Sequence, residues 1–585
     1  MKEFLKYTLA TVVGLFIVSI LSFVMFFFAI TAAVSSSQTV TTLKPNSVYQ
    51  LDLEGYVEER YEDNPFAMLP SSNPFVSTEK TIGLEDILTN IEKAKENPNI
   101  LGIRLNCKSA GIDYASAKEI RDALVDFKTS GKFIIAYADD YSQKMYYIAS
   151  AADKVLLNSI GAVSFKGIAS HTMFYKNLLD KLGVEMQIVK VGEFKSAVEP
   201  SILTKMSDAN REQVTVYVNS IWQNMLNDIS ASRNIPVEKL NAYAEEALDF
   251  RETEKTLEYG FVDQLIYESD VEDIIKEYAA TDKKIAYIKH GAMKNVPSNE
   301  KLSKSKIGVI YAVGGIDMGK GEGIESEKLV KTINDVAKND AVKAVVFRIN
   351  SGGGSAYGSE QIWHALTKLK EKKPLIISMG DYAASGGYYI ACMGDKILAQ
   401  PNTLTGSIGV FGQIPNMQKL YEDKLGLNVD VVKTNKMAES IVAYRRFTPE
   451  ERDIMQHYVE RTYELFVQRC ADGRGMTTDQ IKAIAEGRVW SGVNALEIGL
   501  IDQLGGLNDA VAVAAESAGL SDYNVTAYPA VEDFFTRFMK QINDEMGIRM
   551  IKNKLGEHYH ILEALENFEN TNGIYARMPY DIVLN

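Results

Sequence analysis

The sequence is poor in the residues that build disulfide frameworks, metal centres and histidine-based active sites. Its 585 residues include three cysteines and six histidines. An odd number of cysteines without a CxxC pair predicts neither a disulfide framework nor a metal site, so we expect all three to be buried as small apolar groups. They are Cys107, Cys392 and Cys470. None of the histidines lies in a catalytic or zinc-binding motif, and we predict that the protein needs no metal and no organic cofactor.

Basic stretches are also missing. The net charge is −14, and a surface that binds nucleic acid needs a basic stripe, so no nucleic-acid partner is predicted. The glycine-rich stretch at 350–355 has no following Lys-Ser/Thr, and its spacing is not G-x-G-x-x-G. A nucleotide site is therefore not expected there.

The N-terminus has a long apolar run. No charged residue occurs from Tyr7 to Val34, a length that can cross a hydrocarbon core of ~30 Å as a helix. We predict a transmembrane helix. A cleavable signal peptide is the alternative, because the small residues at 32–35 could be accepted by a signal peptidase. Lys2 and Lys6 precede the run, which predicts a cytoplasmic N-terminus and a body on the other side, the periplasm in a bacterium.

The rest of the chain repeats itself at an offset of about 242 residues, and a repeat of this length indicates a duplicated domain. The segment D-D-Y-S-Q-K-M-Y-Y-I-A of the first copy aligns with D-Y-A-A-S-G-G-Y-Y-I-A of the second, so that Gln143 corresponds to Ser385. Farther along, Lys195 of the first copy corresponds to Ala438 of the second. One copy keeps a serine and the other keeps a lysine, which predicts one composite site.

Amphipathic helices and short apolar strands alternate in both copies, a pattern typical of an α/β fold with a largely parallel sheet. The first copy is predicted to contain strands at 48–53, 100–105, 132–137 and 154–157 and helices at 84–96, 115–129 and 143–152. The predicted domains are an anchor and stem at 1–45, a first domain at 46–280, a linker at 281–304, a second domain at 305–525 and a helical tail at 526–585.

Ser385 is the candidate nucleophile. It follows an apolar strand at 374–378 and begins a predicted helix at 386–392, where backbone N–H groups and the helix dipole can stabilise an oxyanion. The alternative is an ordinary N-cap serine. A second glycine loop, at 352–354, follows the strand at 342–349 and is expected at the carboxyl edge of the sheet, where open α/β sheets bind ligands.

The serine needs a general base. Ala383 replaces the first glycine of G-x-S-x-G, which argues against an α/β-hydrolase triad. A buried lysine with a lowered pKa can accept the hydroxyl proton, and Lys195 lies in the copy that lacks the serine. A solvated lysine without a role is the alternative. The reciprocal loss across the repeat favours Lys195 as the base.

Four motifs carry a family resemblance: E-F-K-S-A-V-E-P around Lys195, N-S-x-G-G-S at 350–355, A-A-S-G-G-Y at 383–388 and T-G-S-I-G-V at 405–410. With them the sequence resembles the signal peptide peptidase A (protease IV) family in its long, tandem-repeat form. The resemblance implies two tandem ClpP/crotonase-like domains behind a transmembrane helix. It also implies a homotetramer that degrades cleaved signal peptides and other apolar extended peptides at the bacterial inner membrane, with its catalytic body in the periplasm.

Carried over by position, the resemblance implies that Ser385 is the nucleophile and Lys195 the general base of a serine endopeptidase. It further implies that the N–H groups of Gly353 and Gly386 form the oxyanion hole, and we interpret Ser407 as a residue that orients the lysine.

Gly352 stands where the family usually has proline, which predicts a less rigid oxyanion loop. Two other functions stay open at this point. A crotonase-type acyl-CoA enzyme would also polarise a carbonyl with two N–H groups, and a non-catalytic membrane scaffold would use the two copies only for assembly.

Overall fold

The computed structural model describes residues 41–61, 80–297, 303–317, 323–530 and 573–578, together with part of 3–25. The strands are β1 Ser47–Glu58, β2 Thr81–Gly83, β3 Ile100–Gly111, β4 Phe133–Ala138, β5 Lys154–Leu157, β6 Glu185–Val191, β7 Gln264–Leu265, β8 Ala286–Lys289, β9 Lys306–Val313, β10 Val342–Ser351, β11 Gly353–Ser355, β12 Leu375–Ala384, β13 Lys396–Ala399, β14 Leu404–Gly406, β15 Val410–Asn416, β16 Val489–Ser491, β17 Gln503–Leu504, β18 Asn524–Tyr528 and β19 Gly573–Arg577. The helices are α1 Leu84–Glu96, α2 Tyr114–Lys128, α3 Gln143–Ala149, α4 Lys176–Leu182, α5 Glu199–Ile202, α6 Asp208–Arg233, α7 Val237–Ala244, α8 Glu254–Glu258, α9 Val271–Tyr278, α10 His290–Met293, α11 Ser326–Lys338, α12 Ala356–Lys370, α13 Gly386–Ala391, α14 Pro449–Arg474, α15 Thr478–Ile484, α16 Gly492–Glu497 and α17 Leu507–Ser517.

Each copy of the repeat builds its own sheet. The first sheet has the order β2-β1-β3-β4-β5-β7, with β8 also paired to β1, and all of these pairs are parallel. The second sheet has the order β16-β14-β12-β10-β9-β18, with β13 joining β12 and β17, and β14–β16 is its antiparallel pair. The predicted α/β fold with largely parallel sheets is confirmed.

The elements of the two copies correspond along the chain. Helix α1 has the predicted bounds, and α6 and α14 each have 26 residues. Strand β3 is longer than the predicted 100–105, because its pairing with β1 continues to Gly111. Backbone pairing thus extends strands beyond the apolar stretches that predict them.

A third, antiparallel sheet contains strands of both copies. Its order is β11-β19-β15-β6. Strand β6 of the first copy pairs with β15 of the second from Val191↔Val410 to Glu185↔Asn416. This pairing brings the loop after β6 into the second copy.

The copies also share a core and an ion cluster. Ile307, Val309 and other residues of the second copy pack into the same apolar cluster as the first sheet. Arg348 of β10 is fully buried, and its guanidinium donates to Glu59 Oε2 and Glu119 Oε2 of the first copy, at 2.8 Å each. Because a buried cation needs buried anions, these contacts tie the copies together.

Three sequence-based expectations have different outcomes. The predicted linker at 281–304 contains β8 and α10, which pack on the first sheet because Ile285, Ile288 and Met293 are buried. The predicted helical tail lies outside the described residues at 531–572, whereas β19 near its end is a strand. All three cysteines are free and buried, as predicted.

The predicted transmembrane helix falls in part on residues that the structure does not describe, among them all of 26–34. Within the described part of the chain, none of the helices combines the length and the apolar character that a membrane crossing requires.

Candidate active site

Ser385 lies where β12 ends and α13 begins, in a strained backbone conformation. Its φ is +56° and its ψ is −115°, a region that residues with a side chain rarely adopt. Its N–H donates to Gly406 O at 2.8 Å. The side chain makes no capping hydrogen bond to α13, whereas Ser142 caps the corresponding helix of the first copy by accepting from the Met145 N–H. The hydroxyl of Ser385 is therefore not used as an N-cap.

Lys195 reaches this serine from the first copy. It follows β6 and is fully buried, so the interpretation of a solvated lysine is wrong. Its Nζ is in hydrogen-bond contact with Ser385 Oγ at 2.7 Å, across 190 positions of sequence. Burial lowers the pKa of Lys195 well below its usual value of 10.5, because the ammonium loses its hydration. Its environment therefore favours a neutral amine in hydrogen-bond contact with the serine.

Ser407 holds the other side of the lysine amine. Lys195 Nζ donates to both the hydroxyl and the carbonyl oxygen of Ser407, each at 3.0 Å. The residue has a φ of +52°, and its N–H donates to Arg488 O at 2.7 Å. Two fixed oxygens thus orient Nζ toward Ser385.

Gly353 and Gly386 lie against each other. A methyl group on the Cα of Gly353 would lie 2.6 Å from the nitrogen of Gly386. Gly353 has a φ of +95°, and its N–H donates to Ser351 Oγ at 3.1 Å. The close approach and the left-handed backbone both require glycine at position 353.

Sequence reasoning missed Gln213. This residue of α6 is 1% exposed, and its Nε2 donates to Phe194 O and to Ser196 Oγ, at 3.0 Å each. Its Oε1 accepts from the Val489 N–H of the second copy at 3.0 Å. Gln213 therefore positions the residues on either side of Lys195. No spacing in the sequence connects it with the lysine, because the contact depends on how α6 packs.

The corresponding positions of the repeat lack this chemistry. Gln143 donates from Nε2 to Gly167 O and accepts at Oε1 from the Lys166 and Gly167 N–H groups. Ala438 is exposed. The first copy's counterpart of Ser385 is thus a hydrogen-bonded amide.

The comparisons with known proteins show the family to which the chain belongs. The model of peptidase family S49 matches residues 126–283 and 367–521, one segment in each copy. The chain belongs to peptidase family S49. It is similar to Protease 4 of Salmonella typhi, with 37% identity over 76% of this chain and 74% of that protein. It is also similar to Protease 4 of Haemophilus influenzae, with 31% identity over 89% of this chain and 86% of that protein.

A chloroplastic relative gives the catalytic class. The serine protease SPPA of Arabidopsis thaliana is 32% identical over 75% of this chain and 66% of that protein. The chain is accordingly a serine protease with tandem S49 segments, and neither the acyl-CoA enzyme nor the non-catalytic scaffold fits this family. A solved ClpP1 mutant from Listeria monocytogenes matches 35% of this chain at 15% identity and a TM-score of 0.23, which is too low to bear on the fold.

Proposed function

We propose that the protein is a membrane-anchored endopeptidase in which Ser385 and Lys195 form a catalytic dyad that hydrolyses apolar extended peptides, including cleaved signal peptides. The observation that carries the proposal is the 2.7 Å contact between Lys195 Nζ and Ser385 Oγ in a fully buried setting. A neutral lysine amine can accept a proton from the serine, and an activated serine hydroxyl is a nucleophile for acyl transfer.

The reaction needs no group beyond these residues and water. Ser385 Oγ bonds to the peptide carbonyl carbon while its proton passes to Lys195 Nζ. The tetrahedral intermediate collapses, the C–N bond breaks, and the same proton goes to the leaving amine. Water then attacks the acyl-enzyme, gives one proton to Lys195, and the ester bond breaks as that proton returns to Ser385. The two contacts with Ser407 hold Nζ near Oγ throughout.

The N–H groups of Gly353 and Gly386 are proposed to stabilise the oxyanion. The closeness of the two residues supports this role, since an oxyanion hole requires two donors near one another. For this role the Gly353 N–H must break its hydrogen bond to Ser351 Oγ, in which N and Oγ are 3.1 Å apart. Ser351→Ala tests that step, because it frees the donor without removing it, and kcat should be kept or raised.

Labelling of the full chain by a fluorophosphonate probe tests the nucleophile. Ser385→Ala should abolish both labelling and cleavage of an apolar reporter peptide, with unchanged circular dichroism. Ser142→Ala is the matched control, because this serine caps the corresponding helix of the first copy. Labelling of Ser385→Ala at the wild-type rate would contradict the serine mechanism.

The membrane anchor is supported by the exposure of apolar side chains near the N-terminus. Phe4, Phe16 and Leu21 are 74%, 67% and 59% exposed, and a lipid phase would cover them. Placement in the bacterial inner membrane with a periplasmic body follows from Lys2 and Lys6. The full chain should stay in the membrane pellet after carbonate extraction and should be digested by protease only when the outer membrane is opened. Release into the supernatant would contradict the anchor.

We also propose the ClpP/crotonase-like form for each domain and a homotetramer as the assembly. A second exposed apolar segment supports assembly, since Leu425, Leu427 and Val432 are 57%, 54% and 98% exposed. Light scattering after size-exclusion chromatography should give four chains per particle, and Val432→Asp should lower that number. A monodisperse monomer for the wild type would contradict the assembly.

A further inference from the structure

A cavity lies between the two copies, near the carboxyl ends of their parallel strands. Its volume is about 520 Å³, within the range of about 300–1,000 Å³ that small-ligand sites have. The first copy contributes the end of β1 and the loop before α2, and the second copy contributes residues of β9, β10 and β12. We call it the acidic cavity, because its charged wall residues are four carboxylates and two cations: Glu58, Glu59, Asp113, Asp381, Arg60 and Lys144.

The acidic cavity occupies the place in the first copy that the proposed active site has in the second. Lys144 follows Gln143, the counterpart of Ser385 in the aligned repeat. It therefore holds the position of the proposed oxyanion glycine that follows the serine. The loop at 111–113 precedes α2 in the same way as the glycine loop precedes α12. Because Lys144 and this loop both line the cavity, the first copy keeps the duplicated cleft without the nucleophile.

Asp113 has a carboxylate that the fold does not use. It is the N-cap residue of α2 but makes no capping hydrogen bond, whereas Ser355 caps the corresponding helix α12. Asp381 of the second copy caps α2 instead, since its Oδ1 accepts from the N–H groups of Ala115 and Ser116 at 3.0 and 2.9 Å. Asp113 is exposed, and within the described part of the chain its carboxylate forms no hydrogen bond and no ion pair.

Neither cation of the wall forms an ion pair with Asp113. The ammonium of Lys144 lies over the ring of Tyr114, 4.7 Å from the ring centroid, and pairs with no carboxylate of the residues that the structure describes. Arg60 donates to Glu85 Oε2 at 3.2 Å, and Glu85 lies outside the cavity wall. The acidic cavity therefore keeps an excess of negative charge that a cationic ligand would balance.

Glu59 supplies a second acceptor in the buried part of the wall. It is 4% exposed, and its Oε2 accepts from Arg348 at 2.8 Å. Its Oε1 has no hydrogen-bond partner among the described residues, and a buried oxygen without a donor is unfavourable. Apolar residues line the same cavity, among them Val57, Ile112 and Val313. An alkyl stem that ends in a group with several N–H donors fits both features.

We propose that the acidic cavity binds a lysine or arginine side chain of the substrate peptide, with Asp113 as its main acceptor. This inference rests on the proposed function. Asp381 precedes Ser385 by four residues along β12, which is about 13 Å at ~3.3 Å per residue. An extended peptide at the serine therefore reaches the cavity with a residue about four positions from the scissile bond. A signal peptide combines a positively charged end with an apolar stretch, so it matches both sites.

Matched reporter peptides test the proposal in the full chain. Each apolar reporter carries either lysine or norleucine at the third, fourth or fifth position from the scissile bond, on one side or the other. At one of these positions the KM of the wild type should be about tenfold lower for lysine than for norleucine, with equal kcat, because a hydrogen bond to a charged group contributes at least that much. A ratio near one at every position would overturn the proposal.

Asp113→Asn should bring the KM ratio of the two reporters to about one, because the amide keeps the shape of the side chain and loses its charge. Asp335→Asn is the matched control. It removes the same charge from α11, where Asp335 is exposed and lies outside the cavity wall, and the ratio should stay as in the wild type. A tenfold ratio that persists in Asp113→Asn would overturn the role of Asp113.

Titration calorimetry on Ser385→Ala protein separates this proposal from the serine mechanism. The lysine peptide should bind with a Kd about tenfold lower than that of the norleucine peptide, and adding Asp113→Asn should remove the difference. If the wild type cleaves neither peptide, the serine mechanism fails and the titration still decides the role of the cavity.

Spermidine identifies the source of the cation. It should raise the Kd of the lysine peptide and leave that of the norleucine peptide unchanged, because it competes only for the carboxylates. Binding of spermidine without any preference for the lysine peptide would make a free polyamine the ligand and would overturn the substrate role.

Discussion

Gly487 packs directly against the backbone of Lys195. It has a φ of +81°, and a methyl group on its Cα would lie 2.7 Å from the N, Cα and Cβ atoms of the lysine. Its N–H donates to Ile408 O at 2.8 Å, and the preceding carbonyl, Glu486 O, accepts from the Phe194 N–H at 3.0 Å. A loop of the second copy thus sets the position of the lysine backbone.

Gly487→Ala should therefore lower kcat by about 10²-fold, because a displacement of about 1 Å at a reacting group has an effect of that size. Steady-state kinetics with an apolar reporter would measure it. Gly475→Ala is the matched control, since Gly475 also has a positive φ of +64° but nothing within 4 Å of an added methyl group. An equal loss in both variants would mean that backbone strain, and not crowding of Lys195, is responsible.

Lys195→Arg should be as inactive as Lys195→Ala, with a fall in kcat/KM of about 10²–10⁴, the usual contribution of a general base. Arginine stays protonated and cannot accept the serine proton. Lys190→Arg serves as the control on the same strand. An active Lys195→Arg variant would show that position 195 acts through its charge.

The pH profile follows from the lowered pKa of Lys195. Only the neutral amine accepts a proton, so kcat/KM should rise with pH through that pKa and level off well below the ~10.4 of a free lysine. The measurement is kcat/KM against pH on the free enzyme. A profile that rises only near pH 10 would contradict a desolvated lysine.

The buried Arg348 cluster makes a prediction about stability. Arg348→Met should lower the free energy of unfolding by about 3–5 kcal/mol, because it leaves Glu59 and Glu119 buried without their cation. In the first copy Arg104 corresponds to Arg348, and the ion-pair partner of Arg104, Glu268, is 62% exposed. Arg104→Met should therefore cost only about 0–1 kcal/mol. Denaturant unfolding of both variants would check this difference.

Glu59 adds a pH dependence to the same cluster. Burial raises the pKa of Glu59 from 4.5 to about 7, against the opposing effect of Arg348. A carboxyl whose pKa is raised on folding favours the folded state below 4.5, and this contribution is lost as the pH rises through 7. The wild type should therefore lose stability relative to Glu59→Gln between these values. A difference between the two proteins that does not vary with pH would contradict a raised pKa.

Mixed assemblies test whether the dyad forms within one chain. Lys195 and Ser385 are in contact within the single chain, and the corresponding Gln143 and Ala438 carry neither nucleophile nor base. Ser385→Ala and Lys195→Ala chains that are co-expressed with different tags should therefore remain inactive as purified mixed oligomers. Substantial recovered activity would show that neighbouring chains complete the dyad.

The composite site could be predicted from sequence because the chain is duplicated. The aligned copies show that a serine and a lysine each occur once, and the alternation of apolar strands and amphipathic helices predicts parallel sheets with the glycine loop at their carboxyl edge. The first and last residues of helix α1 could also be predicted, because its apolar positions follow the helical period. The strand alternation and the helical period are local patterns, which can be recognised without the tertiary structure.

Long-range packing decided the rest. Gln213 and Gly487 contact the lysine loop only because α6 and a loop of the second copy pack beside it, and no periodicity encodes that proximity. The pairing of β19 with β11 and β15 joins segments more than 150 positions apart, and five residues carry too little pattern to identify a strand or its partners. The sequence by itself thus determined the domain class and the two chemical groups, while the tertiary structure decided their distance, the burial that lowers the lysine pKa, and the pairing of β19 beside the site. Distance, hydration and strand register depend on which surfaces meet, and those are properties of the folded chain.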